Sequence, residues 1–487
     1  MRGLTLLSVL AFASGVVAQS NAACDTISKQ LGASKVQQPL SLAYTSTTND
    51  YWNKQQALNK PACVVQPNST ADVSAAVKAI RSSNATMAVK AAGHNTNNFW
   101  SSTNGGVLLD LTKMTGKSFD AAAETATYQP GSEWGDLYEY YEQYNRTVVG
   151  GRLAFIGTGL ALGGGLSHLS QHYGLACDNF RSLEVVLSNG TIVTASPKVN
   201  SDLFLALKGG GNQFGIVTSY TVAAHPIGNF WGGIIIYDGS HAAELFELGR
   251  QFNNNNKDPR AAIIITQTHL GTPDLLQKIG IFIPALDDIV IVFNVYDGPD
   301  GSKAFADFTA IPHVADLRSQ QKYSTLTHQQ DVGAVTTGGA SFRVAAHRSD
   351  NATKVQEILK TFDDFASQVK GTYTLVSLDF QPVTVDLIKQ SRAQGGNALA
   401  SVDGPYFWLN FLFSWTLGAP GTDAALAKFK TLVEELQGDK DLPLFLNDSH
   451  EDQNAISTYG AYDQLVAAKK KFDPDNFLGT HMTGPSV

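Results

Sequence analysis

The segment 89–98, VKAAGHNTNN, sets a single histidine, His94, behind Ala91, Ala92 and Gly93 and ahead of Asn95 and Thr96. An imidazole offers a nitrogen base or nucleophile near neutral pH, but a histidine among amides in a loop is ordinarily satisfied by nearby backbone. His94 therefore needs support from elsewhere in the chain. Residues 148–179, VVGGRLAFIGTGLALGGGLSHLSQHYGLACDN, hold eight glycines in 32 residues, among them Gly159, Gly163, Gly164 and Gly165. Bare glycine backbone lets a ligand approach closely and can turn successive N–H groups toward an anion. The spacing is neither GxGxxG with an acidic partner nor a Walker loop. A second glycine cluster closes 202–215, DLFLALKGGGNQFG. No Cys or His pair has metal-ligand spacing, since His168 and His172 are four apart but lack the glutamate of HExxH.

The elements that must position these residues can be read coarsely. Residues 63–65 and 87–90 are strand-like, and Val73, Val77 and Ile80 fall at helical spacing over 70–81 behind the start signal of Ser69 with Asp72. This is a β-α-β unit, with His94 directly after its second strand, where α/β proteins place ligands. From 105 to 226 the chain reads mainly as strands and glycine-rich turns, including a hairpin about Ser188-Asn189-Gly190 and a strand over 216–222. Beyond 228, long apolar β runs (233–237, 262–266, 289–296, 406–415) alternate with helical segments (241–252, 353–369, 424–436). That pattern predicts an α+β fold whose second part is an antiparallel sheet covered on one face by helices.

The opening MRGLTLLSVLAFASGVVAQS has the form of a secretory signal over 1–18, and no later stretch is long and apolar enough to span a bilayer. A formal charge of −8 without a basic stripe argues against a nucleic-acid partner. Lys469-Lys470-Lys471 reads as a solvated helix end. Of three cysteines, Cys24 and Cys63 could staple the first segment, which leaves Cys177 as a buried thiol. Sequons at Asn68, Asn84, Asn145, Asn189, Asn351 and Asn447 suit a secreted glycoprotein.

A β-α-β unit ending in GH, then LGGGLSxLSxxYGLACDN, DLFLALKGGGNQFGIVT and the tail FLNDSHEDQN…YG…KKKFDPDNF together resemble the FAD-linked oxidases of the berberine bridge enzyme type, within the vanillyl-alcohol oxidase superfamily with its PCMH-type FAD-binding domain. The resemblance implies a two-part FAD domain over 59–228 after an N-terminal segment 19–58, a substrate domain over 229–440, and a C-terminal segment 441–487 that returns to the FAD domain. It places His94 on the histidine that bonds to the flavin 8α-methyl, with Ala91, Ala92, Gly93, Asn95 and Thr96 along the pyrophosphate. Gly159, Gly163, Gly164 and Gly165 would lie beside flavin and pyrophosphate, and Asp178 and Asn179 would close that region. Gly210, Gly211, Gly215, Ile216 and Val217 would approach the ring and ribityl chain, and Asn447 would face the ring. Where many relatives carry a second covalent anchor, a cysteine, this chain reads Arg152-Leu153-Ala154, so one covalent bond is expected. The family's acid or amide position falls on Asn410, an amide that cannot take a proton.

The function expected from this resemblance is a secreted, monomeric, FAD-dependent oxidase. It would take hydride from a C–H bond of a small organic substrate, in secondary-metabolite biosynthesis, and pass the electrons to O₂ to give H₂O₂. The aromatic strand with Phe407, Trp408 and Phe411 points to an apolar metabolite. The alternatives are oxidation of a carbohydrate, electron transfer to an acceptor other than O₂, and non-catalytic flavin or ligand binding.

Overall fold

The computed structural model describes residues 18–272, 277, 286–331, 338–436 and 438–487, so the expected signal lies almost wholly outside the described residues. Strands β1 (Val36–Gln37), β2 (Cys63–Val65), β3 (Met87–Lys90) and β4 (Val107–Asp110) form a sheet in the order β1-β2-β4-β3. The helix Thr70–Ser82 crosses over from β2 to β3, and its Ser69 cap accepts the Asp72 N–H. Val73, Val77 and Ile80 bury one face of it. The β-α-β unit is present with one difference: β2 and β3 each run parallel to β4, which lies between them. A Cys24–Cys63 disulfide ties the N-terminal segment to this sheet, and Cys177 is a buried free thiol.

The next strands are β5 (Lys117–Asp120), β6 (Thr125–Tyr128), β7 (Arg146–Thr147), β8 (Phe180–Val186), β9 (Ile192–Ala195), β10 (Ile216–Ala223) and β11 (His225–Pro226). Five of them build an antiparallel sheet in the order β5-β6-β10-β8-β9, while β7 pairs with β11. The region also contains the helix Trp134–Glu142, which the reading as strands and turns overlooked. Its signal is in the sequence, for Trp134, Leu137, Tyr138 and Tyr141 follow the i, i+3, i+4, i+7 rule and all are buried.

The third sheet contains β12 (Phe230–Asp238), β13 (Ala261–Leu270), β14 (Asp288–Tyr296), β15 (Ala315–Asp316), β16 (Ser319–Gln321), β17 (Gly339–Arg348), β18 (Leu375–Val383) and β19 (Tyr406–Trp415). Its order is β15-β12-β14-β13-β18-β19-β17, with β16 also on β12. Helices Ala242–Asn255, Ala352–Gln368 and Thr422–Glu435 cover one face, and their Phe246, Phe362, Phe365 and Phe429 pack with Leu378, Phe380, Phe407, Leu409, Phe411 and Phe413 in one core. Strand side chains alternate between faces, so this core dictates which residues of β18 and β19 point the other way. One lysine of the basic cluster is not solvated: Lys469 is buried, donating to the Gln213 carbonyl at 2.8 Å and pairing with Asp473 at 2.8 Å.

His269 on β13 fastens a helix to this sheet. Its Nδ1 meets Asp288 of β14 at 2.5 Å and its Nε2 meets Asp363 of the helix Ala352–Gln368 at 2.9 Å. Burial pushes the imidazole pKa down, but the two carboxylates outweigh it and raise the pKa to about 9. Folding therefore favours the protonated form, and the clamp is complete below about 6.5 and lost as pH rises through about 9. The melting temperature of the wild type should fall across that window more steeply than that of His269→Gln, as followed by circular dichroism.

Candidate functional site

A cavity of about 380 Å³ lies where the first two sheets meet the uncovered face of the third. Its walls come from the loop after β3, the glycine-rich loop, the start of β10, strands β13, β14, β18 and β19, and the C-terminal segment. Ala91, Ala92, Gly93, His94, Asn95, Thr96, Gly159, Gly163, Gly211, Gly215, Ile216, Val217, Asn410 and Asn447 all line it. Gly164, Gly165, Gly210, Asp178 and Asn179 stand behind the wall. Gly165 donates its N–H to Asn447 Oδ1 at 3.2 Å, and Gly210 donates to the Ala206 carbonyl at 3.0 Å. Asp178 accepts from the Leu175 N–H at 2.9 Å and from Asn397 Nδ2 at 2.9 Å. Asn179 Nδ2 donates to the Tyr173 and Leu175 carbonyls. These five shape the glycine loop and its surroundings from the back rather than facing the cavity.

Gly93 aims His94. Its φ of +76° is left-handed, and a Cβ there would come within 2.8 Å of Lys90 Cε and 3.0 Å of the Asp50 carbonyl, so the turn after β3 requires glycine. The His94 ring stacks on Trp52 with centroids 4.4 Å apart and leans on Phe155 at 4.9 Å. Its buried Nδ1 has no hydrogen-bond partner among the described residues. Burial lowers the imidazole pKa to about 3, so the ring is neutral at any physiological pH. Gly159 faces the cavity with no atom within 4 Å of where a Cβ would stand. An unpartnered neutral nitrogen and an open glycine wall fit an occupant that reaches both, as a flavin nucleotide would.

At the opposite wall, the aromatic strand is not what the sequence suggested. Phe407 and Phe411 lie in the helix-covered core, and Trp408 stacks on Phe445 at 4.4 Å while its Nε1 donates to the Pro443 carbonyl at 2.7 Å. None of the three lines the cavity. The residues that do are Ile264, Leu270, Ile289, Ile291, Phe293, Leu375 and Leu412, crossed by a polar strip. In that strip Asp379 of β18 lies directly across from Asn410 of β19, and Asn410 Nδ2 donates to Asp379 Oδ2 at 3.2 Å. Asn410 Oδ1 is buried without a partner among the described residues. Asp379 is buried except where it meets the cavity. Desolvation is the largest influence on it, the Asp448 charge adds to that, and the Thr266, Arg152 and Asn410 interactions oppose it, leaving its pKa at about 7.

Two residues along β18 on the same face, Gln381 accepts from Arg152 Nη2 at 2.5 Å and donates to Asp448 Oδ2 at 2.6 Å. Burial raises the Asp448 carboxyl, with Arg152 opposing. Gln330 also lines the cavity and meets His168 Nε2 at 2.6 Å. Sequence reasoning missed Trp52, Phe155, Asp379, Gln381 and Asp448. The alternation Leu375, Ser377, Asp379, Gln381 on one strand was a readable signal for the polar strip, and Asp448 adjoins the Asn447 already singled out.

Such a cavity between a parallel βαβ layer and the open face of a helix-backed antiparallel sheet has the shape and lining to take a flavin nucleotide. Comparison with known proteins agrees. A family model described as an FAD binding domain matches residues 61–196. An FAD-linked oxidoreductase of Arthroderma benhamiae is 32% identical over 479 residues, covering 92% of each chain. The bifunctional solanapyrone synthase of Alternaria solani is 30% identical over 86% of this chain and 80% of that one. In fold, the xylooligosaccharide oxidase of Myceliophthora thermophila superposes with a TM-score of 0.76 at 18% identity, over 95% of this chain and all of that one. The chain belongs to the FAD-linked oxidoreductases, and it is an FAD-dependent enzyme. Among the described residues no group of three or more His, Cys, Asp or Glu could hold a metal, and no helix is long and apolar enough to cross a membrane.

Asn447 joins two walls, its Nδ2 donating to the Leu160 carbonyl at 3.0 Å and its Oδ1 accepting from Gly165 N–H. A Cβ on Gly163 would come 2.7 Å from that amide. Asn447→Ala should lower stability by about 1–3 kcal/mol in urea unfolding, because both backbone groups lose their partner. In peptide mapping, Asn447 should carry no glycan.

Proposed function

We propose that the protein is a secreted oxidase acting on a small, largely apolar organic substrate, with its FAD bonded covalently to His94. FAD, when bound, accepts a hydride from a substrate C–H bond and passes the electrons to O₂, giving H₂O₂. The observation that carries this reading is the half-buried Asp379 carboxyl, poised at about 7 in the polar strip that crosses the apolar wall of the cavity. Asp379 takes the proton of the substrate hydroxyl as the hydride leaves the adjoining carbon, the task that Asn410 cannot perform. Asn410 holds the carboxylate in place through its amide. The neutral His94 nitrogen, without a competing hydrogen bond, suits attachment to the flavin 8α carbon, and Trp52 and Phe155 hold the ring in one orientation.

The apolar wall of Ile264, Leu270, Ile289, Ile291, Phe293, Leu375 and Leu412 favours a hydrocarbon or aromatic body over a sugar, whose many hydroxyls would meet few partners there. The solanapyrone synthase relative, named for making a small organic product, supports a role in secondary metabolism. The exposed sequon asparagines Asn68, Asn84, Asn145, Asn189 and Asn351, together with the disulfide, support secretion.

Acid-precipitated wild type should stay yellow, and His94→Ala should release its flavin into the supernatant; free FAD from the wild type would rule out the bond. Oxidase activity should be half-maximal near pH 7 and decline below it, because the carboxylate must be ionised to accept a proton. Asp379→Asn should lower kcat by roughly 10²–10⁴-fold and remove that limb. Peroxide yield against dye reduction, across a panel of aromatic alcohols and sugars, separates an oxidase from a dehydrogenase.

A further inference from the structure

Among the described residues the polar strip contains one cation, and its hydrogen bonding is incomplete. Arg152 lines the cavity, and among the described residues its guanidinium donates only to Gln381 Oε1, at 2.5 Å. A guanidinium presents five N–H donors in a planar fork. Among the described residues no carboxylate lies within ion-pair distance of it. Asp448, the acid nearest in the hydrogen-bond chain, is held on the far side of Gln381, whose amide donates to Asp448 Oδ2 at 2.6 Å. Gln381 thus acts as a spacer that keeps cation and carboxylate apart while anchoring both. A half-buried guanidinium that lines a cavity without a contacting anion is best completed by an anionic ligand.

We propose that Arg152 is the recognition site for a carboxylate on the substrate, so that the enzyme acts on apolar organic acids. This rests on the reading of the cavity as the site of the FAD-dependent reaction. A carboxylate matches the fork with two parallel N–H···O bonds, which a lone hydroxyl or carbonyl oxygen does not. The apolar wall beside it takes the body of such an acid, so one molecule can meet both surfaces. The charge balance is also acceptable. Asp379 and Asp448 face the same space, and burial pushes both toward their neutral forms. An incoming anion is therefore met by one fixed positive charge and by two carboxyls whose negative charge burial already disfavours. Among the described residues the other groups close by add no competing negative charge: His168 is kept neutral by burial, and Asn410, Gln330 and Thr266 are uncharged.

The test uses the FAD-loaded enzyme, without oxygen, and reads the change in the flavin absorption spectrum on titration with cinnamate and with its neutral counterpart cinnamamide. Wild type should bind cinnamate at least about tenfold more tightly, as a charge-assisted bidentate contact in a dry site requires. Arg152→Met should bring that ratio to about one, and Arg152→Lys, which keeps the charge but not the fork, should fall between. An unaltered ratio in an Arg152→Met protein with wild-type flavin content overturns the proposal, as does equal binding of the two ligands by the wild type. Neither readout needs turnover, so failure of the oxidase reading would show separately, as no flavin bleaching by any substrate.

Discussion

Alternation along two adjacent strands governs the site. In β18 and β19 the residues Val376, Leu378, Phe380, Leu409, Phe411 and Phe413 enter the core beneath the covering helices. A strand that commits one face to a core has no freedom over the other. Ser377, Asp379, Gln381, Asn410 and Leu412 are thereby carried to the cavity, and the register between the strands brings Asp379 opposite Asn410. A slip of one residue would place a carboxylate among phenylalanines, so the helix-side core selects strongly against it. The large aromatic investment of this sheet positions the site rather than composing it.

Electrostatics then sets what the polar strip can do. Asp379, Asp448 and Arg152 share a recessed part of the cavity, where charge–charge effects are less screened than at the surface. Desolvation lifts both carboxyls, and the guanidinium restrains them. The hydrogen-bonded chain Arg152–Gln381–Asp448 spaces these charges so that none is neutralised by direct contact. Asp379 keeps an affinity for a proton near neutrality, and the guanidinium keeps donors free.

The opposite wall is held by shorter-range constraints. The Gly93 turn projects His94 between Trp52 and Phe155, elements of the N-terminal segment and the glycine loop. Asn447 laces the C-terminal segment to that same loop at two backbone groups, and Asp178 and Asn179 brace the loop from behind. Several of the residues that look most like ligand contacts in the sequence are thus the frame of the cavity rather than its surface.

Local physics made much of this readable. Periodicity located the strand Met87–Lys90 and the helices of the second part to within a few residues, and the glycine clusters marked where backbone crowds a cavity. His94 stood out because a loop at a strand end follows from chain order alone. What one-dimensional reading could not supply was which face of β19 looks inward. In YFWLNFLFSW only Asn410 and Ser414 interrupt the apolar run, too weak an alternation to declare its two sides, so Phe407 and Phe411 were open to either reading until helix packing claimed them. Nor could it bring Arg152, Asp379, Gln381 and Asp448 together, since they lie on a loop, one strand and a returning tail far apart in the chain. The sequence by itself determined the chemical repertoire and the local turns. Only tertiary structure decided which carboxyl is dry enough to be a base and which cation is left without an anion, because both depend on what the fold excludes from water.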